Sequence, residues 1–169
     1  MKQRKIRLII LCVLLSALSL NMYSCMSRQV FADDVSCSDL MDTVETQLPV
    51  EFGYKAFGEE HLRYYFEDTK LPDDLCLRYS TASENINEIG IFHTPDAESQ
   101  EEVVELAEAY LEELQEDQRA FIGSYAPQEL PKLDRAEVRT FGNYTVYAIL
   151  SDEDRALAFD IIESVLEKK

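Results

Sequence analysis

The sequence predicts an α+β domain whose antiparallel four-stranded sheet follows the order ββαββα, with helices mainly on one face of the sheet. Apolar residues alternate along the segments 75–80 and 86–93, a pattern typical of half-buried strands. The long segment 94–121 instead repeats its apolar residues every three or four positions, as an amphipathic helix does. Two short helices and an N-terminal signal or anchor are predicted to precede this core.

The first 25 residues are predicted to be a signal peptide or a membrane anchor. Four basic residues stand among the first seven positions, and an apolar run from Leu8 to Leu20 follows them. Basic flanks stay in the cytoplasm, so the rest of the chain is expected at the outer face of the cell membrane.

Three alternatives remain for the end of this leader. Cys25 follows the small residue Ser24, which makes it a candidate for lipidation at a lipobox-like site, although Tyr23 is bulky for such a site. Alternatively, residues 6–26 stay uncleaved as a single helix, long enough to cross about 30 Å of hydrocarbon. A third reading places ordinary signal-peptidase cleavage after Ala32.

The remaining chain is predicted to contain a short tether and one domain. Residues 26–36 are polar and acidic and form the predicted tether, and residues 37–169 form a single extracytoplasmic domain. The segment 38–48 predicts the first helix, which Pro49 ends, and the segment 58–66 predicts the second.

The second half of the domain contains the clearest local pattern in the chain. Residues 136–150 predict two strands joined by the two-residue loop Gly142-Asn143, where glycine tolerates the positive φ of a tight hairpin. The nearly unbroken apolar run from Tyr144 to Leu150 indicates a central strand that is buried on both faces. Ser151 then caps a last helix, and a capping box at Ser99 is expected to begin the long helix.

These segments resemble a known protein family. The strand E-I-x-I-F beginning at Glu88, the Y-x-P connection beginning at Tyr125 and the G-N-Y hairpin beginning at Gly142 are similar to domain-of-unknown-function family 4358 of clostridia-like Gram-positive bacteria. The resemblance covers residues 65–166. It implies a membrane-attached lipoprotein with a small α+β domain, which favours lipidation of Cys25. The family brings no activity, substrate or catalytic residue with it.

The charge of the chain excludes two classes of partner. Four of the 16 basic residues lie in the leader, so 12 Lys and Arg remain against 33 Asp and Glu, a net charge of −21. Phosphate backbones and anionic lipid headgroups repel such a surface. We therefore expect no nucleic-acid partner and a membrane attachment through the N-terminus alone.

The two cysteines that follow Cys25, Cys37 and Cys76, can form a disulfide or remain free thiols. Outside the cell Cys37 and Cys76 could oxidise to a disulfide, which would contribute about 4 kcal/mol in the chain-entropy treatment. The other reading is two free thiols, because spacing alone does not show that their Cα atoms approach within about 7 Å.

No motif in the sequence predicts a catalytic, cofactor or metal site. His61 and His93 stand outside metal-binding spacings, and no serine elbow or cysteine nucleophile motif accompanies His93 and the nearby Asp96. The acids of the long helix are expected to form a solvated face that attracts cations only weakly. They are Glu101, Glu102, Glu105, Glu108, Glu112, Glu113 and Glu116.

These observations favour a non-catalytic protein that binds, or assists assembly, in the cell envelope. Its partner would be an envelope protein or a cell-wall ligand, and Tyr64 and Tyr144 are the tyrosines expected to be exposed for such contacts. The alternative is a small extracytoplasmic hydrolase using His93 or a helix-borne carboxylate, which requires a deep pocket around His93 with a buried carboxylate. A third possibility is an acidic coat that acts through bulk charge. The sequence does not determine the oligomeric state.

Overall fold

A computed structural model of the chain describes residues 30–48, 54–66, 70–82 and 84–167. The elements of this described part are, in order, α1 Cys37–Gln47, β1 Tyr54–Ala56, α2 Glu59–Tyr65, β2 Asp74–Ser80, β3 Glu88–His93, α3 Ala97–Tyr125, the 3-10 turn Pro127–Glu129, α4 Leu130–Asp134, β4 Glu137–Phe141, β5 Tyr144–Ile149 and α5 Asp152–Leu166. The predicted α+β class is therefore confirmed.

Within the described residues the sheet has five antiparallel strands in the order β1-β2-β3-β5-β4, not the predicted four. The additional strand is β1, which pairs with one edge of β2 from Tyr54 opposite Ser80 to Ala56 opposite Arg78. Three residues are too few to show an alternating pattern, so this strand could not be predicted from periodicity. Short strands are common at sheet edges because they offer few unpaired backbone groups to other chains.

Helices cover both faces of the sheet, which corrects the prediction that they lie mainly on one face. Ile89 and Ile91 of β3 pack in a core with α1 and α5. Phe92 of β3 and Tyr147 of β5 pack in a second core with α3. Central strands that are apolar on both faces must be covered on both, and β5 is buried at every position as predicted.

The chain reversal between β4 and β5 is the predicted hairpin. Phe141 pairs with Tyr144 across the two-residue loop, and Gly142 has φ +58°. The start of α3 differs from the predicted capping box, since Asp96 is the cap and accepts a bond from the Ser99 amide at 2.8 Å. Ser151 caps α5 as predicted.

The described part of the predicted tether lies against the domain. The Ala32 amide donates to the Leu166 carbonyl at 2.6 Å, and the Phe31 ring meets Phe141 edge-on at 6.1 Å. The Tyr144 hydroxyl donates to the Val35 carbonyl at 2.7 Å and accepts from its amide at 3.1 Å. Phe31, Ala32 and Val35 therefore pack against the domain, whereas residues 26–29 lie outside the described residues.

Tyr144 is fully buried, so the prediction that it is exposed is wrong. Its ring stands on the same side of β5 as Val146 and Ala148, under the N-terminal segment that its hydroxyl holds. The side chain of Tyr64, the other tyrosine expected to be exposed, lies outside what the structure describes.

No helix within the described ranges is long and apolar enough to cross a membrane. The predicted leader, with Cys25, lies outside those ranges.

Candidate functional site

The described structure contains a cavity beside His93, here called the His93 pocket. It measures about 380 Å³ and lies between the end of β3, the start of β2 and the first turn of α3. Its titratable lining includes His93, Asp73, Asp74, Glu102 and Lys70. The structure therefore contains a cavity at the position where the hydrolase alternative requires a deep pocket with a buried carboxylate.

The His93 ring is held between carboxylates that are not buried. Its Nε2 lies 2.8 Å from Asp33 Oδ1 and its Nδ1 lies 3.9 Å from Asp74 Oδ2. The side chains of Asp33 and Asp74 are 54% and 39% exposed. The ring also stacks on Tyr144, with 4.5 Å between the centroids. These partners do not include the buried carboxylate that the hydrolase alternative requires. Asp96 caps the N-terminus of α3.

The Cys37 thiol and the Thr94 hydroxyl are held by structural hydrogen bonds. Cys37 is fully buried, its Sγ donates to the Asp74 carbonyl at 3.4 Å, and burial strongly raises the pKa of its thiol. A thiol with a raised pKa is a poor nucleophile. The Thr94 hydroxyl donates to the Asn143 carbonyl at 3.2 Å. The first bond joins α1 to β2 and the second joins the end of β3 to the β4–β5 hairpin, so both are best explained as structural contacts.

A second cavity, here called the Glu88 pocket, measures about 240 Å³. It lies between the ends of β2 and β3 that are joined by the loop 81–87, the second half of α3, and α4. Its described lining is Tyr79, Ser80, Asn85, Ile86, Asn87, Glu88, Leu114, Gln118, Phe121, Ile122, Leu133 and Ile149.

Glu88 is the carboxyl group of this pocket, and two buried tyrosines fix its position. The hydroxyls of Tyr110 and Tyr147 each donate to Glu88 Oε1 at 2.7 Å. Burial raises the pKa of Glu88 to about 7, and the two hydroxyl bonds oppose this rise without cancelling it. A carboxyl of raised pKa in a cavity is a functional-site candidate, because such groups exchange charge near neutral pH.

Gly90 makes this arrangement possible. It lies directly opposite Tyr147 in the sheet, and a Cβ at this position would stand 2.1 Å from Tyr147 Cε1. The absent side chain lets the tyrosine ring cross β3 and reach Glu88. Sequence reasoning missed Glu88, although a signal existed, since Glu88 has the same strand parity as Gly90 and Phe92 and so faces α3.

An ion pair and two exposed aromatic rings lie next to lining residues of the Glu88 pocket. Glu129 Oε2 accepts the Ile86 amide at 3.2 Å and Lys132 Nζ at 2.7 Å, and this holds Ile86 against the 3-10 turn and α4. On the other side, Phe121 and Tyr125 are 59% and 72% exposed, with ring centroids 4.6 Å apart.

The other predicted site residues do not gather at either pocket. Cys37 and Cys76 are both buried free thiols in the structure, and Cys25 lies outside the described residues. His61 packs against the rings of Phe57 and Tyr79. Within the described ranges no group of three or more His, Cys, Asp or Glu is arranged to hold a metal ion. The acids predicted to form a solvated face on α3 are all exposed.

Comparison with curated proteins gives no match, and neither does comparison with solved structures. The sequence profile of the domain of unknown function DUF4358 matches residues 49–150, more than half of the chain. The matched range contains every strand of the sheet and the Glu88 pocket, and it ends before α5, which the predicted resemblance had included. The chain therefore belongs to the DUF4358 family.

Proposed function

We propose that this protein is attached through its N-terminus to the outer face of the cell membrane, where it binds an envelope protein or a cell-wall ligand without catalysing a reaction. The basic and apolar order of residues 1–25 supports the location. The Glu88 pocket is the observation that carries the binding role. Its described lining joins apolar walls, amide groups and a fixed carboxyl, but contains no imidazole and only one carboxyl.

The attachment is tested by intact mass and lipid labelling of the membrane fraction, comparing the natural chain with Cys25→Ala. A diacylglycerol-sized addition that the variant loses would identify Cys25 as the anchor. Unmodified full-length mass in both, with both retained in the membrane, would favour an uncleaved helix instead. Recovery of both in the medium would refute membrane attachment.

The binding role is tested by co-sedimentation of the purified full-length protein with native envelope fragments. Phe121→Ser removes an exposed ring at the rim of the Glu88 pocket, and Leu157→Ser removes a 37%-exposed apolar side chain from α5 as a matched control. We expect Phe121→Ser to reduce the retained fraction several-fold and Leu157→Ser to leave it unchanged. Equal behaviour of the two variants would contradict a binding role for this pocket.

A hydrolase is the alternative function, and one observation favours it. The Glu88 pKa of about 7 suits a general acid or base at neutral pH. Glycoside hydrolysis, however, needs a second carboxyl about 5–10 Å away, and Glu88 is the single carboxyl among the described lining residues. Release of soluble fragments from cell-wall material by the natural chain, abolished in Glu88→Gln, would establish the hydrolase and overturn the non-catalytic proposal.

A further inference from the structure

We propose that the Glu88 pocket binds a small organic cation, a primary ammonium group on a short apolar stem, which donates its N–H groups to the Glu88 carboxylate. This inference rests on the proposed binding function and names the chemical class of its ligand.

The Glu88 carboxyl is positioned to accept further hydrogen bonds. Both tyrosine hydroxyls donate to the same oxygen, Oε1. An ionised carboxylate offers about four lone-pair sites on two oxygens, so two hydroxyl donors leave acceptor capacity in the group. Because Tyr110 and Tyr147 are almost completely buried, they hold the carboxyl in one place before any ligand arrives. Such preorganisation lowers the free-energy cost of binding.

The walls of the pocket fit a short apolar stem. Apart from the amides and Ser80, the surfaces that surround the carboxyl are aliphatic or aromatic, contributed by Ile86, Leu114, Ile122, Leu133 and Ile149 together with Tyr79 and Phe121. The volume of about 240 Å³ lies below the range of about 300–1,000 Å³ of drug-sized sites. A ligand of a few heavy atoms is therefore expected.

The charges around the pocket favour a cation over an anion. The described lining contains no Lys or Arg. The nearby Lys132 is paired with Glu129, and Arg119 is paired with Asp134. The net charge of −17 on the chain adds a long-range attraction for cations. The exposed Phe121 ring also lines the pocket and offers the apolar stem a further contact surface.

A neutral ligand could also use Glu88, but with the opposite dependence on pH. A protonated carboxyl would donate to a ligand carbonyl, so that affinity would fall as the pH rises. An ammonium ligand needs the ionised carboxylate, so that its affinity must increase as the pH rises. The direction of the pH dependence therefore distinguishes the two classes.

The test is calorimetric titration of the full-length protein with n-butylammonium chloride at pH 6 and pH 8, with n-butanol as the uncharged probe. An alkylammonium group stays protonated across this range, as a lysine side chain does. With a Glu88 pKa of about 7, the ionised fraction rises from about one tenth to about nine tenths, so the affinity should increase about tenfold. n-Butanol should bind more weakly and without this pH dependence.

Three variants locate the site. Glu88→Gln should lose most of the affinity at pH 8 and all of its pH dependence. Glu84→Gln removes the same charge from an exposed position in the adjacent turn and should change neither. Phe121→Ala, at an exposed position where folding is not at stake, should weaken binding several-fold, and it tests the site even if Glu88→Gln fails to fold.

Absence of n-butylammonium binding at pH 8, tighter binding at pH 6, or equal binding by the natural chain and Glu88→Gln would each overturn the inference. If the cation fails to bind but retention on envelope fragments still depends on Phe121, the ligand class is wrong and the binding function stands. If both measurements fail, the proposed function fails with the inference.

Discussion

Replacing Glu88 by Gln should remove a loss of stability that the natural chain undergoes as the pH rises. The amide of Gln can still accept the hydroxyls of Tyr110 and Tyr147 through its oxygen, but it cannot ionise. The natural carboxyl has a pKa of about 7 in the folded protein, against an ordinary value of 4.5. Between these pH values the folded protein holds a proton that the unfolded chain has released.

The sign and size of the effect follow from this difference. Stability conferred by the protonated carboxyl is fully present below pH 4.5 and is lost as the pH rises towards and through 7. At about 1.4 kcal/mol per pH unit, the interval between these two pKa values corresponds to about 3 kcal/mol. The free energy of unfolding of Glu88→Gln, relative to the natural chain, should therefore increase by about 3 kcal/mol between pH 4.5 and pH 8.

The assay is urea unfolding followed by circular dichroism at pH 5, 6, 7 and 8, comparing the natural chain, Glu88→Gln and the control Glu84→Gln. Because the comparison is a difference at each pH, the other titrating groups cancel, and the control reports the general effect of one fewer negative charge. A difference between Glu88→Gln and the natural chain that stays constant from pH 5 to pH 8 would refute the assignment of a raised pKa to the Glu88 carboxyl.

Three further predictions concern the packing around the sheet. Gly90→Ala should lower the free energy of unfolding by about 1–3 kcal/mol, since the new Cβ overlaps the tyrosine ring that covers β3; a change within error in urea unfolding would show that the ring can move aside. Tyr144→Phe removes the hydroxyl that bonds Val35 and should cost about 1–2 kcal/mol, with faster protease cleavage near residues 30–36; cleavage at the natural rate would contradict the proposed fastening. Cys37 and Cys76 should each react with a thiol reagent slowly when folded and fast in urea, because both are buried free thiols; recovery of no reactive thiol in urea without reductant would instead establish the disulfide.

Features that depend on neighbouring residues in the chain could be predicted from the sequence. The Gly142-Asn143 hairpin follows from the φ that glycine allows, and the buried strand β5 follows from its unbroken apolar run. The solvated acid face of α3 follows in the same way from helical periodicity. The DUF4358 membership also rests on local motifs and their order, and the profile match confirms it.

The candidate site depended on contacts between distant segments. In the sequence Glu88 resembles any acidic residue of a strand. Its special environment comes from Tyr110 and Tyr147, 22 and 59 residues away, whose hydroxyls donate to its carboxyl group. The sequence suggested His93 as a possible catalytic residue of a hydrolase. In the structure its ring instead lies between the exposed carboxylates of Asp33 and Asp74.

The sequence by itself determined the α+β class, the hairpin, the central strand and the family, because period, turn chemistry and charge are local properties of the chain. The tertiary structure decided the fifth strand, the covering of both sheet faces, the burial of Tyr144 and the cavity around Glu88. Each of these depends on which residue of a remote segment stands opposite, and on how far burial removes a polar group from water. Neither the contacts between remote segments nor the extent of burial can be derived from the periodicity of the sequence.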